Sequence, residues 1–115
     1  MLIKIITFNI AHGKGLDGII DIERQAELVN TYKPDIVFLQ EIDMYTKRAG
    51  ERNQIREFSK KVYLPYCSME SNITLEDGYY GDGIISRFPI SFSVNYLMPL
   101  TDLNHEQRGI LCNRI

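Results

Sequence analysis

The sequence contains no tryptophan, only two histidines and two cysteines, and no apolar run that approaches the length of a membrane-spanning helix. The apolar run at the start, Met1 to Ile6, is too short for a secretory signal peptide, and Lys4 already interrupts it with a charge. Cys67 and Cys112 have no metal-ligand spacing, and both are expected to be reduced residues of the core. These features predict a cytoplasmic protein with no membrane segment and no disulfide framework.

The sequence also lacks an excess of positive charge. Its 115 residues include 13 Lys and Arg against 15 Asp and Glu, which gives a formal net charge of -2. Proteins that hold nucleic acid through phosphate contacts usually carry a basic face, so nucleic acid is a possible but not a favoured partner. For most of the mild basic cluster from Lys47 to Lys61, a solvated helix face is the simpler interpretation. With 44% hydrophobic residues, residues 1–115 form one piece of one compact domain.

The first third of the sequence predicts a strand, a helix and a second strand. Leu2 to Phe8 and Asp35 to Gln40 are β-rich and apolar enough to be buried on both faces. Between them, a glycine-rich loop leads to a helix from Ile22 to about Tyr32, which Asp21 can cap. Strand, helix and strand with short connections form a βαβ unit, so the two strands are expected to be parallel.

The rest of the sequence predicts a second helix and four further strands. The helix covers Gln54 to Val62, with Ile55, Phe58 and Val62 on its inward face. The strands cover Tyr66 to Glu70, Gly83 to Ser86, Ser91 to Tyr96 and Gly109 to Arg114, and one of the turns between them lies at Glu76 to Gly78. The predicted fold class is therefore α/β.

Two polar residues follow the predicted parallel strands. Asn9 and Glu41 each come just past the carboxyl end of a strand, so neighbouring strands would bring both side chains to the same edge of the sheet. Open α/β sheets bind ligands at that edge. A carboxylate beside an amide suits a hard cation such as Mg²⁺. The alternative is that Asn9 begins a turn and Glu41 is a solvated strand end, and the coincidence favours the site only slightly.

Three longer strings occur in order along the chain: TFNIAHG from Thr7, PDIVFLQEID from Pro34 and YGDGIISRFPI from Tyr80. Together they resemble the endonuclease/exonuclease/phosphatase superfamily of metal-dependent phosphoester hydrolases, which includes deoxyribonuclease-type nucleases, sphingomyelinases and inositol-phosphate phosphatases. The strings TKRAG from Thr46 and QRGIL from Gln107 are most similar to its bacterial metal-dependent hydrolase branch. The resemblance covers essentially the whole chain.

The resemblance implies a two-sheet α/β sandwich of the deoxyribonuclease type. This chain would supply the N-terminal half of that fold, as one mixed sheet with helices on its outer face. Glu41 matches the glutamate that binds a catalytic Mg²⁺ or Mn²⁺, and Asn9 matches the asparagine that helps to organise the metal and the phosphate. The further positions that the resemblance places around the substrate are His12, Arg48, Asp82 and Arg108.

Two departures from the family pattern stand out. Asp82 replaces an asparagine that many relatives carry, and a second carboxylate near Glu41 would either hold the metal more tightly or repel the phosphate. The Gly-Asp-x-Asn and Ser-Asp-His strings, which supply the water-activating aspartate and the catalytic histidine of the family, do not occur in the sequence. Asp102 to His105 imitates them in letters only, in a predicted connecting loop.

Two functions from different classes follow. The first is a metal-dependent phosphoesterase fragment that acts on an undetermined phosphoester and is inactive without its missing C-terminal half. The second is a non-catalytic remnant that self-associates or binds a partner, because one apolar face of the sheet would be left uncovered. In both cases the missing half or a second copy of the chain is the expected partner.

Overall fold

The computed structural model describes residues 1–75 and 77–115, so Glu76, the first residue of one predicted turn, lies outside the described residues. Along the chain the elements are β1 (Ile5–Asn9), α1 (Ile22–Thr31), β2 (Ile36–Met44), α2 (Gln54–Val62), β3 (Tyr66–Leu75), β4 (Gly78–Ser86), β5 (Phe92–Leu97) and β6 (Gly109–Arg114). Two short 3-10 turns, Ala11–Gly13 and Lys47–Ala49, follow β1 and β2. Every predicted helix and strand is present, and the differences lie at their ends.

Both helices begin at a capping side chain. The Asp21 carboxylate accepts hydrogen bonds from the backbone N–H groups of Glu23 and Arg24, at 3.0 and 3.3 Å, as its position before α1 predicted. Asn53 accepts in the same way from the N–H of Arg56 at 3.2 Å, at the start of α2. These caps fix where each helix begins and therefore which of its residues face the sheet.

Four strands form the main sheet in the order β1–β2–β4–β3. β1 and β2 are parallel, with Asn9 opposite Gln40, as the βαβ pattern predicted. β4 is antiparallel to both β2 and β3, so the sheet is mixed. β2 continues beyond its predicted end at Gln40 to Met44, because it stays paired with β4 after its pairing with β1 has ended.

The helices cover one face of this sheet and form the core with it. Six of the predicted inward residues of the helices are buried: Ile22, Ala26 and Val29 in α1, and Ile55, Phe58 and Val62 in α2. They pack against Val37 and Leu39 of β2 and Ile85 of β4. Tyr32, which the sequence placed less cleanly on the same face of α1, is 60% exposed just after the end of the helix. Helical periodicity therefore identified the helix residues of the core, apart from Tyr32.

The opposite face of the sheet is partly covered by a second, smaller sheet. β5 and β6 form an antiparallel hairpin that contacts mainly β3 and β4. The expectation that the chain supplies only one sheet is corrected by this hairpin. Side-chain hydrogen bonds join the two sheets: Ser68 Oγ of β3 donates to Ser93 Oγ of β5 at 3.0 Å, and Asn95 Nδ2 of β5 donates to Asn72 Oδ1 of β3 at 2.9 Å.

β1 and β2 are not buried on both faces, and the sequence predicted this feature wrongly. Ile5 is 56% exposed and Phe38 is 36% exposed, because both belong to the face that the helices do not cover and the hairpin leaves largely open. Cys112 on β6 is exposed rather than in the core, whereas Cys67 is partly buried against the core. Neither helix of the described chain has the length and apolar character of a membrane span.

Candidate active site

Asn9 is the last residue of β1, and its side chain turns the chain out of the sheet. Its Oδ1 accepts a hydrogen bond from the backbone N–H of Ala11 at 3.0 Å, which forms an Asx-type turn. Ala11 and His12 then adopt left-handed backbone angles, with φ of 47° and 45°. Such angles cost residues other than glycine about 1–3 kcal/mol each and persist only where the surrounding structure imposes them.

Glu41 lies at a β-bulge within β2, not past the end of the strand as the sequence predicted. Gln40 and Glu41 together lie opposite Asp82 of β4, two residues against one. The backbone of Glu41 is left-handed, with φ of 58°. The parallel pairing with β1 ends at Gln40, so the bulge begins at the level where Asn9 ends β1. Bulges re-aim side chains, and this one sets the direction of the Glu41 carboxylate.

A cleft of about 200 Å³ opens at this edge of the sheet. Four of the predicted site residues line it: Asn9, Glu41, Asp82 and Arg108. Tyr80 and Glu106 line it as well, so its described charged side chains are three carboxylates and one guanidinium. Because Arg108 precedes β6 directly, the cleft lies between the two sheets.

A chain of amides holds Asp82 at the cleft. Asn95 Nδ2 donates to Asn72 Oδ1 at 2.9 Å, and Asn72 Nδ2 donates to Asp82 Oδ2 at 3.1 Å. Gly109 leaves room for this chain, because a Cβ at that position would overlap the Asn72 amide. Since Asn95 belongs to β5, the second sheet helps to orient the Asp82 carboxylate.

Behind the bulge, the fully buried side chain of Asp43 accepts hydrogen bonds at both carboxylate oxygens. It accepts from the Thr46 hydroxyl at 2.7 Å and from Arg48 Nε and Nη2 at 2.5 and 2.7 Å. Two parallel N–H···O bonds are the strongest way in which arginine binds a carboxylate, and they raise the pKa of Arg48. Arg48 is therefore bound to a carboxylate of the protein itself.

Gln54, the first residue of α2, ties the strained turn after β1 to β2. It is only 2% exposed. Its Oε1 accepts from the backbone N–H of Asp43 at 2.9 Å, and its Nε2 donates to the carbonyl of His12 at 2.8 Å. We refer to Asp43, Thr46, Arg48 and Gln54 as the buried bracket.

Two titratable groups lie between the bracket and the cleft. Burial raises the pKa of Tyr80, and the negative charges of Glu41 and Glu106 raise it further, so its hydroxyl stays protonated. Burial also lowers the pKa of His12, and the positive charge of Arg48 lowers it further. The imidazole of His12 is therefore neutral near pH 7.

The structure separates the predicted site residues into two groups. Asn9, Glu41, Asp82 and Arg108 meet at the cleft, whereas His12 and Arg48 lie outside its described lining, on the strained turn and the bracket. His105 is exposed in the connecting loop, also outside that lining, as its position in a predicted loop implied.

Sequence reasoning missed the roles of two residues. Tyr80 stood in a family string without an assigned function, yet it lines the cleft and meets the guanidinium of Arg48. The buried, bonded role of Gln54 could have been predicted, because it is a polar residue at the start of an amphipathic helix, in a buried position. A buried amide in that place needs partners, and here the partners belong to the turn and the strand that carry Asn9 and Glu41.

The oxygen atoms at the cleft suit a hard divalent cation. Glu41 and Asp82 offer carboxylates and Asn9 offers an amide oxygen, which are the ligand types of Mg²⁺. Among the described residues, no three His, Cys, Asp or Glu side chains converge into a metal site by themselves. A cation at the cleft would therefore keep much of its water. The assignment of Asn9 and Glu41 as ligands stays a prediction.

Comparison with known proteins relates the chain to one family. The model of the Endonuclease/Exonuclease/phosphatase family matches residues 6–113. No protein of curated function matches the sequence significantly.

Two solved structures are similar to the chain in fold. The endonuclease/exonuclease/phosphatase from Beutenbergia cavernae DSM 12333 superposes with a TM-score of 0.74 at 18% identity, over 96% of this chain and 33% of that chain. The endonuclease/exonuclease/phosphatase family protein from Leptotrichia buccalis C-1013-b superposes with a TM-score of 0.64 at 15% identity, over 96% of this chain and 47% of that chain. The chain thus spans between a third and a half of the lengths of these relatives.

Proposed function

Because the chain belongs to the endonuclease/exonuclease/phosphatase family, we propose that it forms one side of the active site of a divalent-metal-dependent phosphoester hydrolase. The observation that carries the proposal is the meeting of Asn9, Glu41, Asp82 and Arg108 at one cleft between the two sheets. The chain spans only part of the lengths of its solved relatives, so the activity of a complete enzyme is itself part of the proposal.

Glu41 is the proposed principal ligand of Mg²⁺ or Mn²⁺, with Asn9 and Asp82 beside it. When bound, a divalent ion would polarise a phosphoryl oxygen and stabilise the leaving oxygen. Asp82 adds a second negative charge to the cleft, which favours a cation. The hydrogen bond from Asn72 keeps that charge at the cleft, because it limits how far the carboxylate can rotate toward bulk water.

Arg108 is the proposed phosphate ligand on this side of the cleft. Its side chain is 69% exposed, and its Nη2 lies 3.3 Å from Glu106 Oε2. Exposed ion pairs contribute only about 0–1 kcal/mol, so Arg108 can turn toward a phosphate at little cost. The protonated hydroxyl of Tyr80 is a further donor at the cleft. His12 and Arg48 are weaker candidates for substrate contact, because they lie outside the described lining.

The general base and the catalytic histidine of the family are not assigned to this chain. The strings that supply them do not occur in the sequence. The proposed task of the cleft residues Asn9, Glu41, Asp82 and Arg108 is to bind and orient the phosphoester. We therefore expect no turnover above background by the isolated chain with Mg²⁺ or Mn²⁺. The excess of carboxylates at the cleft makes nucleic acid the less favoured substrate.

A Mn²⁺ titration of the chain, in which electron paramagnetic resonance reports the free ion, tests the metal assignment. We expect weak binding that Glu41→Gln lowers by about tenfold or more, because the variant removes the principal anionic ligand. The control Glu27→Gln removes the same charge from the exposed side of α1 and should leave the affinity unchanged. Unchanged Mn²⁺ affinity in Glu41→Gln would contradict the assignment.

A second proposal is that the chain is non-catalytic and pairs with a second copy of itself, or with a separate half of the fold. Ile5 and Phe38 expose apolar surface on the sheet, and Phe92 and Ile110 do so on the hairpin, at 54% and 51% exposure. Covering such surface stabilises a complex by about 25 cal/mol per Å². Sedimentation velocity at micromolar concentrations should then detect a dimer. A folded monomer whose sedimentation is independent of concentration would rule out pairing with a second copy.

We also propose a cytoplasmic location on the basis of the cysteines. Cys67 and Cys112 are both free, and Cys112 is exposed. An exposed thiol of this kind is kept reduced in the cytosol, whereas secreted proteins usually pair their cysteines. Thiol alkylation in freshly lysed cells should label Cys112 fully, and labelling only after reduction would contradict this location.

A further inference from the structure

The guanidinium of Arg48 lies between a buried anchor and a residue of the cleft. On one side, Asp43 binds Nε and Nη2 of Arg48, and Thr46 donates to the same carboxylate at 2.7 Å. Asp43 is fully buried, so the protein atoms around it hold its carboxylate in place. Because the two parallel hydrogen bonds use one edge of the guanidinium, they fix the plane of the group as well as its position.

On its other side, Arg48 meets the aromatic ring of Tyr80. The guanidinium carbon lies 5.2 Å from the ring centroid, within the range of a cation–π contact. Asp43 and Tyr80 are also direct partners in the β2–β4 ladder, so the anchor and the ring are held by the same pair of strands. The ring therefore has little freedom to leave the wall of the cleft.

Tyr80 in turn faces the bulge that carries Glu41. Glu41 comes directly before Ile42, and Tyr80 comes directly before Gly81, the ladder partner of Ile42. The two residues are therefore neighbours across the β2–β4 ladder, and both line the cleft. A carboxylate that binds a metal needs a donor to fix its remaining oxygen, and the loss of such a donor typically weakens metal binding by 10- to 100-fold. The Tyr80 hydroxyl is a donor of this kind at the cleft.

We propose that Arg48 is a positioning residue for Glu41, which it supports through the ring and hydroxyl of Tyr80, and that it does not itself contact the phosphoester. The inference rests on the function proposed above for Glu41. It gives Arg48 a role other than the substrate contact that the family resemblance implied. It also explains why a cation placed near a metal site is bound to a buried carboxylate.

The direction in which the Mn²⁺ affinity changes when Arg48 is removed separates this role from a purely electrostatic effect of its charge. Removing the positive charge of Arg48 would by itself raise the affinity of the cleft for a cation, because like charges repel. If Arg48 instead positions Glu41, its removal lowers that affinity. A Mn²⁺ titration of the full chain can therefore distinguish the two roles without a measurement of turnover.

The experiment compares Arg48→Met and Tyr80→Phe with a control, Arg56→Met. The control removes an exposed arginine from α2, which carries neither Arg48 nor Tyr80. Arg48→Met and Tyr80→Phe should each weaken Mn²⁺ binding by about tenfold, and Arg56→Met should leave it unchanged. Tyr80→Phe keeps the ring and the Asp43–Arg48 pair, so it tests the proposal even where Arg48→Met folds poorly. Far-ultraviolet circular dichroism identifies variants that are folded.

Unchanged or tighter binding in a folded Arg48→Met variant would overturn the inference, and so would unchanged binding in Tyr80→Phe. Glu41→Gln distinguishes this failure from failure of the proposed function. If Glu41→Gln weakens Mn²⁺ binding while the other two variants do not, only the positioning role is wrong. If Glu41→Gln also leaves binding unchanged, the metal assignment itself is wrong, and the positioning role is overturned with it.

Discussion

The buried bracket and the cleft meet where Arg48 contacts Tyr80, and the two regions are built in opposite ways. In the bracket, Asp43, Thr46 and Gln54 are at most 2% exposed, and their side chains bond to the protein itself. The side chain of the fourth member, Arg48, is 45% exposed but is bonded at Nε and Nη2 to Asp43. In the cleft, the side chain of Arg108 is 69% exposed and Asn9 is exposed at a strand end. The side chains of the bracket are thus bonded within the protein, whereas those of the cleft are more open to water, where a ligand would bind.

This contrast predicts that stability is concentrated in the bracket. Asp43→Ala should lower the free energy of unfolding by about 3 kcal/mol, because it removes the acceptor of the Thr46 hydroxyl and of the Arg48 fork. Asp82→Ala removes a carboxylate from the cleft and should cost less than about 1 kcal/mol. Urea denaturation followed by circular dichroism measures both. Equal losses would mean that the bracket is not the more strongly coupled of the two regions.

A smaller effect sharpens the comparison within the helices. Gln54→Met should lower the free energy of unfolding by about 2 kcal/mol, because the backbone N–H of Asp43 and the carbonyl of His12 both lose their partner. Gln25 on α1 is a matched control, since its amide donates to a single carbonyl, that of Ile10, at 3.0 Å. Gln25→Met should cost about half as much in the same urea experiment. A larger loss in Gln25→Met than in Gln54→Met would contradict the bridging role of Gln54.

The smallest expected effect concerns pH. The pKa of His12 is lower in the folded chain than its ordinary value, through burial and the charge of Arg48. The folded state therefore favours the neutral imidazole, and this contribution is present above about pH 6.5 and is lost as the pH falls below it. Between about pH 7 and pH 5, the wild-type chain should lose more stability than His12→Asn. If the urea midpoints of the two proteins change equally with pH across that range, folding does not lower the pKa of His12, and the prediction is wrong.

The helices and the core could be predicted from the sequence, but the course of β2 could not. Apolar positions at helical spacing identified α1 and α2, and their inward residues are buried, except Tyr32 after the end of α1. In β2 the bulge at Glu41 shifts the alternation of inward and outward residues by one. The prediction followed the continuous apolar run from Ile36 to Leu39 and ended the strand at the polar Gln40, although the pairing with β4 continues to Met44.

The residues of the cleft could be predicted in part, for a physical reason. Asn9 and Glu41 end up together because the parallel pairing of β1 with β2 ends at Asn9 and Gln40, so both residues reach the same edge of that pair. That outcome depends on the parallel topology, which the sequence predicted. Arg48 could not be placed in this way. Its partner Asp43 lies only five residues earlier in the chain, and a charged strand residue usually faces solvent. Only the fold reveals that this carboxylate is buried and that it accepts two hydrogen bonds from Arg48.

The Asx turn at the end of β1 has a consequence for the chemistry of Asn9. Because a backbone N–H can only donate, the bond from Ala11 identifies which end of the Asn9 amide is oxygen and holds that end toward the turn. One lone pair of this oxygen stays open to a cation, while the NH₂ group presents two donors to an anion. Asn9 can therefore contact a metal and a phosphate at once through opposite ends of one group. Aspartate at this position would keep the turn and the metal contact but would replace the two donors with a negative charge.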